Sequence, residues 1–232
     1  MKLAVMQPYF FPYLGYFQLL HAVDRFVSYD DVNFIKQGWI NRNFILMGCQ
    51  PLRITVPVSG ASSFKTIAET PLSPNPAWQG KLLKTLSQAY AQAPFFNPVF
   101  TLAESVVRER WDSVAGLALG SIQAVANYLG IKTEIRPSAT QYDNRSFQGT
   151  SRVLDICRRE GAAAYYNLPG GQNLYDPSTF SDAKVELRFI QPGEPRYRQF
   201  ACAYVPHLSI LDVLMFNDRE TVSHFLADYR IK

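Results

Sequence analysis

The sequence predicts an α/β fold with a mainly parallel sheet and a helical insertion. Strand-like and helix-like segments alternate near both ends of the 232-residue chain, a pattern typical of parallel strands joined by helices. Residues 77–129 instead keep helical spacing throughout, so the insertion is predicted there. Apolar residues make up 47% of the chain and charged residues only 18%, which allows a large core and argues against disorder. We therefore expect a single domain over residues 1–232.

The first predicted unit is a strand, a helix and a second strand. Residues 3–6 form a short buried strand, and residues 17–23 begin a helix after a loop rich in proline and aromatic residues. Residues 25–29 form the second strand, which runs into the carboxylates of Asp30 and Asp31. A loop between a strand and a helix lies at the carboxyl end of a parallel strand, where open α/β sheets bind ligands.

The middle of the chain changes from strand to helix. Residues 53–58 are rich in β-branched side chains and predict a third strand, and residues 59–76 are a long surface loop rich in Ser, Pro, Thr and Gly. A helix starts at residue 77 and stops at Pro94. Residues 97–129 predict a second helical region, made of two helices that meet near residues 112–116.

The last part of the chain returns to alternating strands and helices. Glycines end two of the helices, Gly130 after the helical region and Gly161 after the next helix. The predicted elements are strands at 133–136, 162–166 and 185–190, a helix at 150–160, a segment at 208–215 and a last helix at 219–229.

The charge and the missing motifs exclude several classes of protein. The net charge is +4, fifteen of the 23 basic residues are arginine, and there is no basic run, so an anionic small molecule is favoured over nucleic acid. The chain lacks the glycine-rich fingerprints of P-loop and dinucleotide-binding proteins, the G-x-S-x-G of hydrolases and the H-E-x-x-H of metalloproteases.

The cysteines indicate a reducing compartment. Cys49, Cys157 and Cys202 are odd in number and widely spaced, so we expect reduced thiols and assign no metal ligands. Gln7 and Pro8 interrupt the apolar N-terminus, which therefore does not resemble a signal peptide, and no apolar stretch is long enough to span a membrane. We expect a cytoplasmic protein; the oligomeric state stays open.

Polar and glycine-rich clusters follow three of the strand-like runs, and they are the candidate site. Asp30 and Asp31 are candidate catalytic carboxylates, or oxygen ligands for Mg²⁺, and His207 is a weaker candidate base. The candidate substrate-binding residues are Gln7, Tyr13, Gly15, Tyr16, Lys36, Trp39, Asn41, Arg42, Asn43, Asn167, Gly170, Gly171 and Gln172. If the sheet is parallel, these clusters meet at one edge and border one pocket.

Four motifs resemble the WbqC-like family, and the resemblance covers almost the whole chain. They are QPYFFP at 7–12, WINRN at 39–43, YNLPGG at 166–171 and LSILDVLMFN at 208–217. Members of that family are encoded in bacterial O-antigen and other surface-polysaccharide clusters. The resemblance implies a role in making or decorating a sugar precursor, with glycine transfer to an amino sugar as the usual suggestion.

A second resemblance concerns nucleotidyltransferase-type enzymes, including pantoate–β-alanine ligase. Their first strand is followed by His-x-Gly-His, and Tyr13-Leu14-Gly15-Tyr16 has the same spacing here with tyrosine in place of both histidines. Tyrosine hydroxyls, Lys36 and Arg42 would then replace the histidines as donors to an anionic group. This resemblance implies a nucleotidyltransferase-like sheet and leaves ATP with Mg²⁺ open as a cofactor.

Three functions follow from these patterns and remain open. The first is transfer of an acyl or aminoacyl group to a nucleotide-linked amino sugar, with Asp30 or Asp31 as the base that deprotonates the amine. The second is a non-catalytic module that binds a nucleotide sugar or another biosynthetic protein. The third is an adenylate-forming, nucleotidyltransferase-like enzyme.

Overall fold

The computed structural model describes residues 1–201 and 203–232 and confirms an α/β fold with a mainly parallel sheet and flanking helices. The strands are β1 (Lys2–Met6), β2 (Arg25–Ser28), β3 (Arg42–Met47), β4 (Gln50–Thr55), β5 (Glu134–Arg136), β6 (Ala164–Asn167), β7 (Glu186–Pro192) and β8 (Tyr229–Ile231). The helices are α1 (Leu14–Ala22), α2 (Ala77–Tyr90), α3 (Phe96–Arg108), α4 (Val114–Leu129), α5 (Gly149–Glu160), α6 (Pro177–Asp182), α7 (Ile210–Phe216) and α8 (Arg219–Ala227).

Six strands form the main sheet in the order β5-β2-β1-β6-β7-β8. The first five are parallel, and β8 runs antiparallel to β7 at the edge. From β1 the chain first adds strands on one side and later adds β6 and β7 on the other. The strand order therefore reverses between β1 and β6, and such a switch point opens a crevice at the carboxyl ends of the strands.

The sheet is buried on both faces, as its apolar strands require. In β1, Ala4 packs into the larger core, whereas its neighbours Leu3 and Val5 pack into a smaller core on the opposite face. The larger core includes residues of α1, α2, α3, α4, α7 and α8, and the smaller one includes residues of α5 and α6.

The predicted helices are close to the observed ones. The helical region does divide into two helices, because Ser113 caps the start of α4 by accepting a hydrogen bond from the Gly116 amide. Gly130 and Gly161 end α4 and α5 at φ values of 70° and 66°, which glycine adopts without strain. Helix α1 starts three residues earlier than predicted, because Gly15 lies in its first turn and not in the preceding loop.

Several short elements were not predicted. Strand β3 pairs with β4 in a separate hairpin, and β3 was assigned no strand from the sequence because it begins with the polar residues Arg42 and Asn43. Strand β8 and helix α6 were also missed, since each is six residues or shorter and its pattern is too brief to identify.

Two further findings concern the compartment. Cys157 is a free, buried thiol, as expected. Cys49 is disulfide-bonded, so the expectation of a reduced thiol is wrong there. Cys202 lies outside the described residues. Across the described ranges, no helix is both long enough and apolar enough to cross a bilayer.

Candidate functional site

A cavity of about 410 Å³ lies at the carboxyl edge of the sheet, beside the switch point. The loop after β1 and the first turn of α1 form one wall, Pro169 after β6 lies next to it, and the chain after β7 closes the other side. Its volume is typical of small-molecule sites, which occupy about 300–1,000 Å³. Among the lining residues are Tyr9, Pro12, Tyr13, Leu14, Gly15, Trp39, Asn43, Pro169, Gln191, Pro192, Glu194, Tyr197, Tyr204, Pro206, His207 and Val213.

The loop after β1 is fixed by polar contacts around Phe11, which is fully buried. The Phe11 amide donates to Ser121 Oγ at 2.9 Å, and its carbonyl accepts from Asn43 Nδ2 at 2.6 Å and Ser209 Oγ at 2.8 Å. These contacts hold Phe11 at a φ of 40°, which is unfavourable for a phenylalanine. Strained residues of this kind concentrate at functional sites, and here the strain turns the neighbouring Pro12 and Tyr13 towards the cavity.

The N-terminus of α1 opens into the cavity. Tyr13 is its N-cap residue, no side chain caps the helix, and the Tyr16 amide donates to the Tyr13 carbonyl at 3.1 Å. A Cβ atom on Gly15 would lie 2.6 Å from a ring carbon of Tyr13 and 3.0 Å from Pro192 Cγ. Glycine is therefore required for α1 to pack against the end of β7. An uncapped helix N-terminus of this kind can bind an anionic group.

The tyrosines of this wall are neutral hydrogen-bond donors. Burial raises the pKa of Tyr9, and burial together with the nearby Tyr9 raises the pKa of Tyr13 to about 12. Their hydroxyls therefore keep their protons at neutral pH and cannot act as bases there. Among the described lining residues there is no lysine or arginine, so an anionic ligand would depend on α1 and on hydroxyl donors.

The opposite wall is held by Asp212 in α7, which is fully buried. Its carboxylate accepts hydrogen bonds from Tyr90 Oη at 2.8 Å, Tyr197 Oη at 2.7 Å and Gln199 Nε2 at 2.6 Å. Desolvation raises the pKa of Asp212, although these three bonds oppose the increase. Tyr197 lines the cavity, so its hydrogen bond to the buried Asp212 positions the Tyr197 ring in the cavity wall. Asp212 is not the cap of its helix, since Ser209 Oγ accepts a hydrogen bond from the Leu211 amide at the start of α7.

His207 and Glu194 lie together at the rim of the cavity. Their closest nitrogen–oxygen distance is 3.9 Å, and both side chains are about two-thirds exposed, at 67% and 68%. His207 has a positive φ of 59°, an uncommon conformation for this residue. Of the described lining residues, His207 is the one histidine, a residue type that often serves as a general base.

Asp30 and Asp31 are buried and do not line the cavity. Asp30 accepts hydrogen bonds from Ser138 Oγ at 2.8 Å and from the Ala139 amide at 3.0 Å, and desolvation raises its pKa. Asp31 forms an ion pair with Arg152, which is also buried. These contacts tie the end of β2 to the segments that follow β5 and to α5.

The WINRN segment contributes two residues to the cavity. Trp39 is half-exposed and packs edge-on against Phe44, while Asn43 is buried beneath the loop after β1. Asn41 donates to the Val56 carbonyl at 2.8 Å, and Arg42 Nε donates to the Gly38 carbonyl at 2.7 Å. Asn41 and Arg42 therefore support the backbone.

The other predicted residues lie outside the lining. Tyr16 is fully buried and donates to the Gln7 carbonyl at 2.9 Å, and Lys36 is exposed. Asn167 is buried and bonded to Tyr165, and a Cβ on Gly171 would lie 2.6 Å from Asn167 Nδ2. Gly170 and Gln172 face outward. In all, Tyr13, Gly15, Trp39, Asn43 and His207 lie together at the cavity, and the rest of the predicted set does not.

The sequence analysis missed most of the wall after β7. Glu194, Tyr197 and Tyr204 lie in a stretch that was interpreted only as a loop. Three prolines and two tyrosines between residues 192 and 206 were the available signal, because such a composition in a long connection is common in binding loops.

Comparison with known proteins places the chain in one family. A sequence model described as the WbqC-like protein family matches residues 7–224. The uncharacterized protein Rv1507c of Mycobacterium tuberculosis is 30% identical over 219 residues, which cover 93% of each chain. No solved structure gives a significant match.

Proposed function

Since the chain belongs to the WbqC-like protein family, we propose that it binds a nucleotide-linked amino sugar in the cavity at the switch point. There it transfers an acyl or aminoacyl group, such as glycine, to the sugar amine during synthesis of a bacterial surface-polysaccharide precursor. The observation that carries the proposal is the meeting of an uncapped helix N-terminus with an aromatic-lined cavity.

The lining suits a ligand with both a sugar ring and an anionic group. Rings such as those of Tyr9, Tyr13 and Trp39 offer flat faces with polar edges, which can pack against a sugar or a base. The first turn of α1 offers N–H donors and the positive end of the helix dipole to a phosphate. Both features are available on the same side of one cavity.

His207 is the base in this proposal, in place of Asp30 and Asp31. Acyl transfer requires the amine nitrogen to attack the donor's carbonyl carbon, the leaving group to depart with its bonding electrons, and the amine to lose a proton. His207 takes that proton, and Glu194 at 3.9 Å favours the charged imidazole that results. Asp30 and Asp31 are already committed to internal contacts.

In an adenylate-forming reaction of the nucleotidyltransferase type, the carboxylate of the acyl donor would attack the α-phosphate of Mg²⁺-bound ATP and release pyrophosphate, which gives an acyl adenylate as the activated donor. The strand order and the position of α1 at the switch point favour it. Tyr13 and Tyr16 stand at the positions of the two histidines in the His-x-Gly-His motif of those enzymes. Of these two tyrosines, however, only Tyr13 lines the cavity. We therefore propose transfer as the main reaction and adenylation as its activating step.

A non-catalytic binding module is the second candidate. It is favoured because, among the described lining residues, the acid–base pair His207 and Glu194 lies at the exposed rim, while the interior is formed mostly by aromatic and proline side chains.

Ligand binding and product formation separate these candidates. Purified protein is screened by thermal shift with UDP- and dTDP-linked amino sugars, and each hit is incubated with glycine, ATP and Mg²⁺ for detection of the acylated sugar by mass spectrometry. His207→Gln should retain ligand binding and lose product, whereas His224→Gln, an exposed histidine on α8, should retain both. Binding without product in the wild type would favour the binding module, and no binding of any nucleotide sugar would contradict the transferase and any module that binds nucleotide sugars.

A further inference from the structure

The stretch between Asp31 and Glu69 has an unusual combination of charge and exposed apolar surface. It contains Lys36, Arg42, Arg53 and Lys65 and no acidic residue. Among the described residues, seven large hydrophobic side chains are exposed, and four of them lie in this stretch: Ile35, Trp39, Leu52 and Phe64. Exposed apolar side chains scattered singly need no explanation, but a concentration in one basic segment does.

Ile35 and Phe64 follow two segments that are joined at a folded base. Asn33 and Thr66 form an antiparallel bridge, and the Phe34 amide donates to the Lys65 carbonyl at 2.8 Å. Ile35 and Phe64 each lie two residues from this bridge, and Phe64 stands in a turn closed by a hydrogen bond from the Lys65 amide to the Ser62 carbonyl at 3.3 Å. They are 50% and 93% exposed, whereas Phe34 and Ile67 behind them are buried. The base is therefore packed, while the two apolar side chains project into solvent.

The same surface continues to the rim of the cavity. The Gly38 amide donates to the Ile35 carbonyl at 2.9 Å, which closes a tight turn. Arg42 Nε stabilises that turn by donating a hydrogen bond to the Gly38 carbonyl. Trp39 follows directly, is 49% exposed and lines the cavity. Lys36 and Lys65 are exposed and lie next to Ile35 and Phe64 in the chain.

We propose that this surface, which we call the basic apolar tip (residues 33–39 and 62–66), docks the protein on an anionic lipid bilayer. Phe64 and Ile35 enter the boundary between headgroups and acyl chains, and Lys36 and Lys65 bind lipid phosphates. A bilayer accepts a few separate apolar tips, whereas a stable protein interface buries about 800 Å² per partner in a continuous patch. Glu69 accepts a hydrogen bond from the Thr66 amide and lies near Lys65, but residues 32–68 carry four basic side chains and no acidic one, a balance that matches a negatively charged surface.

Co-sedimentation with vesicles tests the proposal on the full chain without any sugar ligand, so its outcome is independent of the proposed function. Vesicles of phosphatidylcholine alone are compared with vesicles that also contain phosphatidylglycerol. We expect binding to the anionic vesicles, and weaker binding at high salt because surface charges are then screened. Lys36→Gln with Lys65→Gln should weaken binding by about fivefold per lysine. Ile35→Ala with Phe64→Ala should weaken it by at least about tenfold.

Matched controls lie on other elements. Lys81→Gln with Lys84→Gln removes the same charge from exposed positions of α2, and Ile231→Ala removes a half-exposed side chain from β8. Both controls should bind vesicles like the wild type, and all variants should keep the melting temperature. Failure of the wild type to bind anionic vesicles would overturn the proposal. So would equal losses in tip and control variants, or a dimer in sedimentation velocity that the Ile35 and Phe64 substitutions dissociate.

Discussion

Replacement of Asp31 by asparagine should destabilise the fold instead of removing a catalytic group. The Asp31 and Arg152 side chains are only 2% and 6% exposed, and they form a buried ion pair. Without the carboxylate charge, Arg152 would remain buried with Asn144 Oδ1 at 2.9 Å and the Tyr29 ring at 4.9 Å, neither of which carries a charge. Removal of one partner from a buried pair costs about 3–5 kcal/mol.

The expected loss lies at the lower end of that range for Asp31→Asn. Asparagine keeps the shape and one acceptor oxygen, and Asp31 Oδ1 has no hydrogen-bond partner among the described residues, so little else is lost. We expect a loss of about 3 kcal/mol, which for a chain of this size lowers the melting temperature by about 6–12 °C. Asp31→Ala also leaves a void and should cost about 5 kcal/mol.

Thermal and urea unfolding measure this effect, with two comparisons. Asp112→Asn changes an exposed aspartate between α3 and α4 and should leave the melting temperature unchanged. Asp31→Leu combined with Arg152→Met replaces the pair by apolar side chains and should recover most of the lost stability, because both charges are then absent. If Asp31→Asn keeps wild-type stability but abolishes product formation, the ion pair is not structural and this reasoning is refuted.

Two further predictions concern the cavity walls. Gly15→Ala would put a Cβ 2.6 Å from the Tyr13 ring, so it should lower the free energy of unfolding by about 1–3 kcal/mol and weaken nucleotide-sugar binding. Gly80→Ala in α2, with open space around it, should instead stabilise the protein by about 0.5–1 kcal/mol. Calorimetry and ligand titration check both variants, and equal effects would contradict the packing argument. Burial raises the pKa of Asp212 above its value in the unfolded chain, so ionisation of this residue lowers stability as the pH rises above about 3.8. Asp212→Asn lacks this term, so the stability difference between wild type and variant should shift in the variant's favour as the pH rises above about 3.8 in urea unfolding. A difference independent of pH would contradict this prediction.

The sequence predicted the parts of the fold that long or regular patterns encode. The division between α3 and α4 could be predicted because Ser113 interrupts the apolar spacing, and Gly130 could be predicted as a helix end. The short strands β3 and β8 could not, since β3 begins with polar residues and β8 has only three. Gly15 was assigned to a loop because glycine disfavours helices, yet its close contact with Pro192 requires it inside α1.

The location of the site was easier to predict than its residues. The carboxyl edge of the sheet follows from the alternation of strands and helices, and a cavity does lie there. Polarity alone could not show whether Asp31 faces a ligand or another part of the protein. Asp31 in fact pairs with Arg152, which lies 121 positions away in the chain. Tyr197 was missed because its place in the cavity depends on a hydrogen bond to Asp212, which no local pattern reveals.

A crystal structure with the nucleotide sugar that gives the largest thermal shift tests the central claim most directly. We predict density for the ligand in the cavity, with its phosphate near the first turn of α1 and its amino sugar beside His207. Density elsewhere, for example at Asp30 and Asp31 beside α5, would contradict the claim that the cavity at the switch point is the functional site.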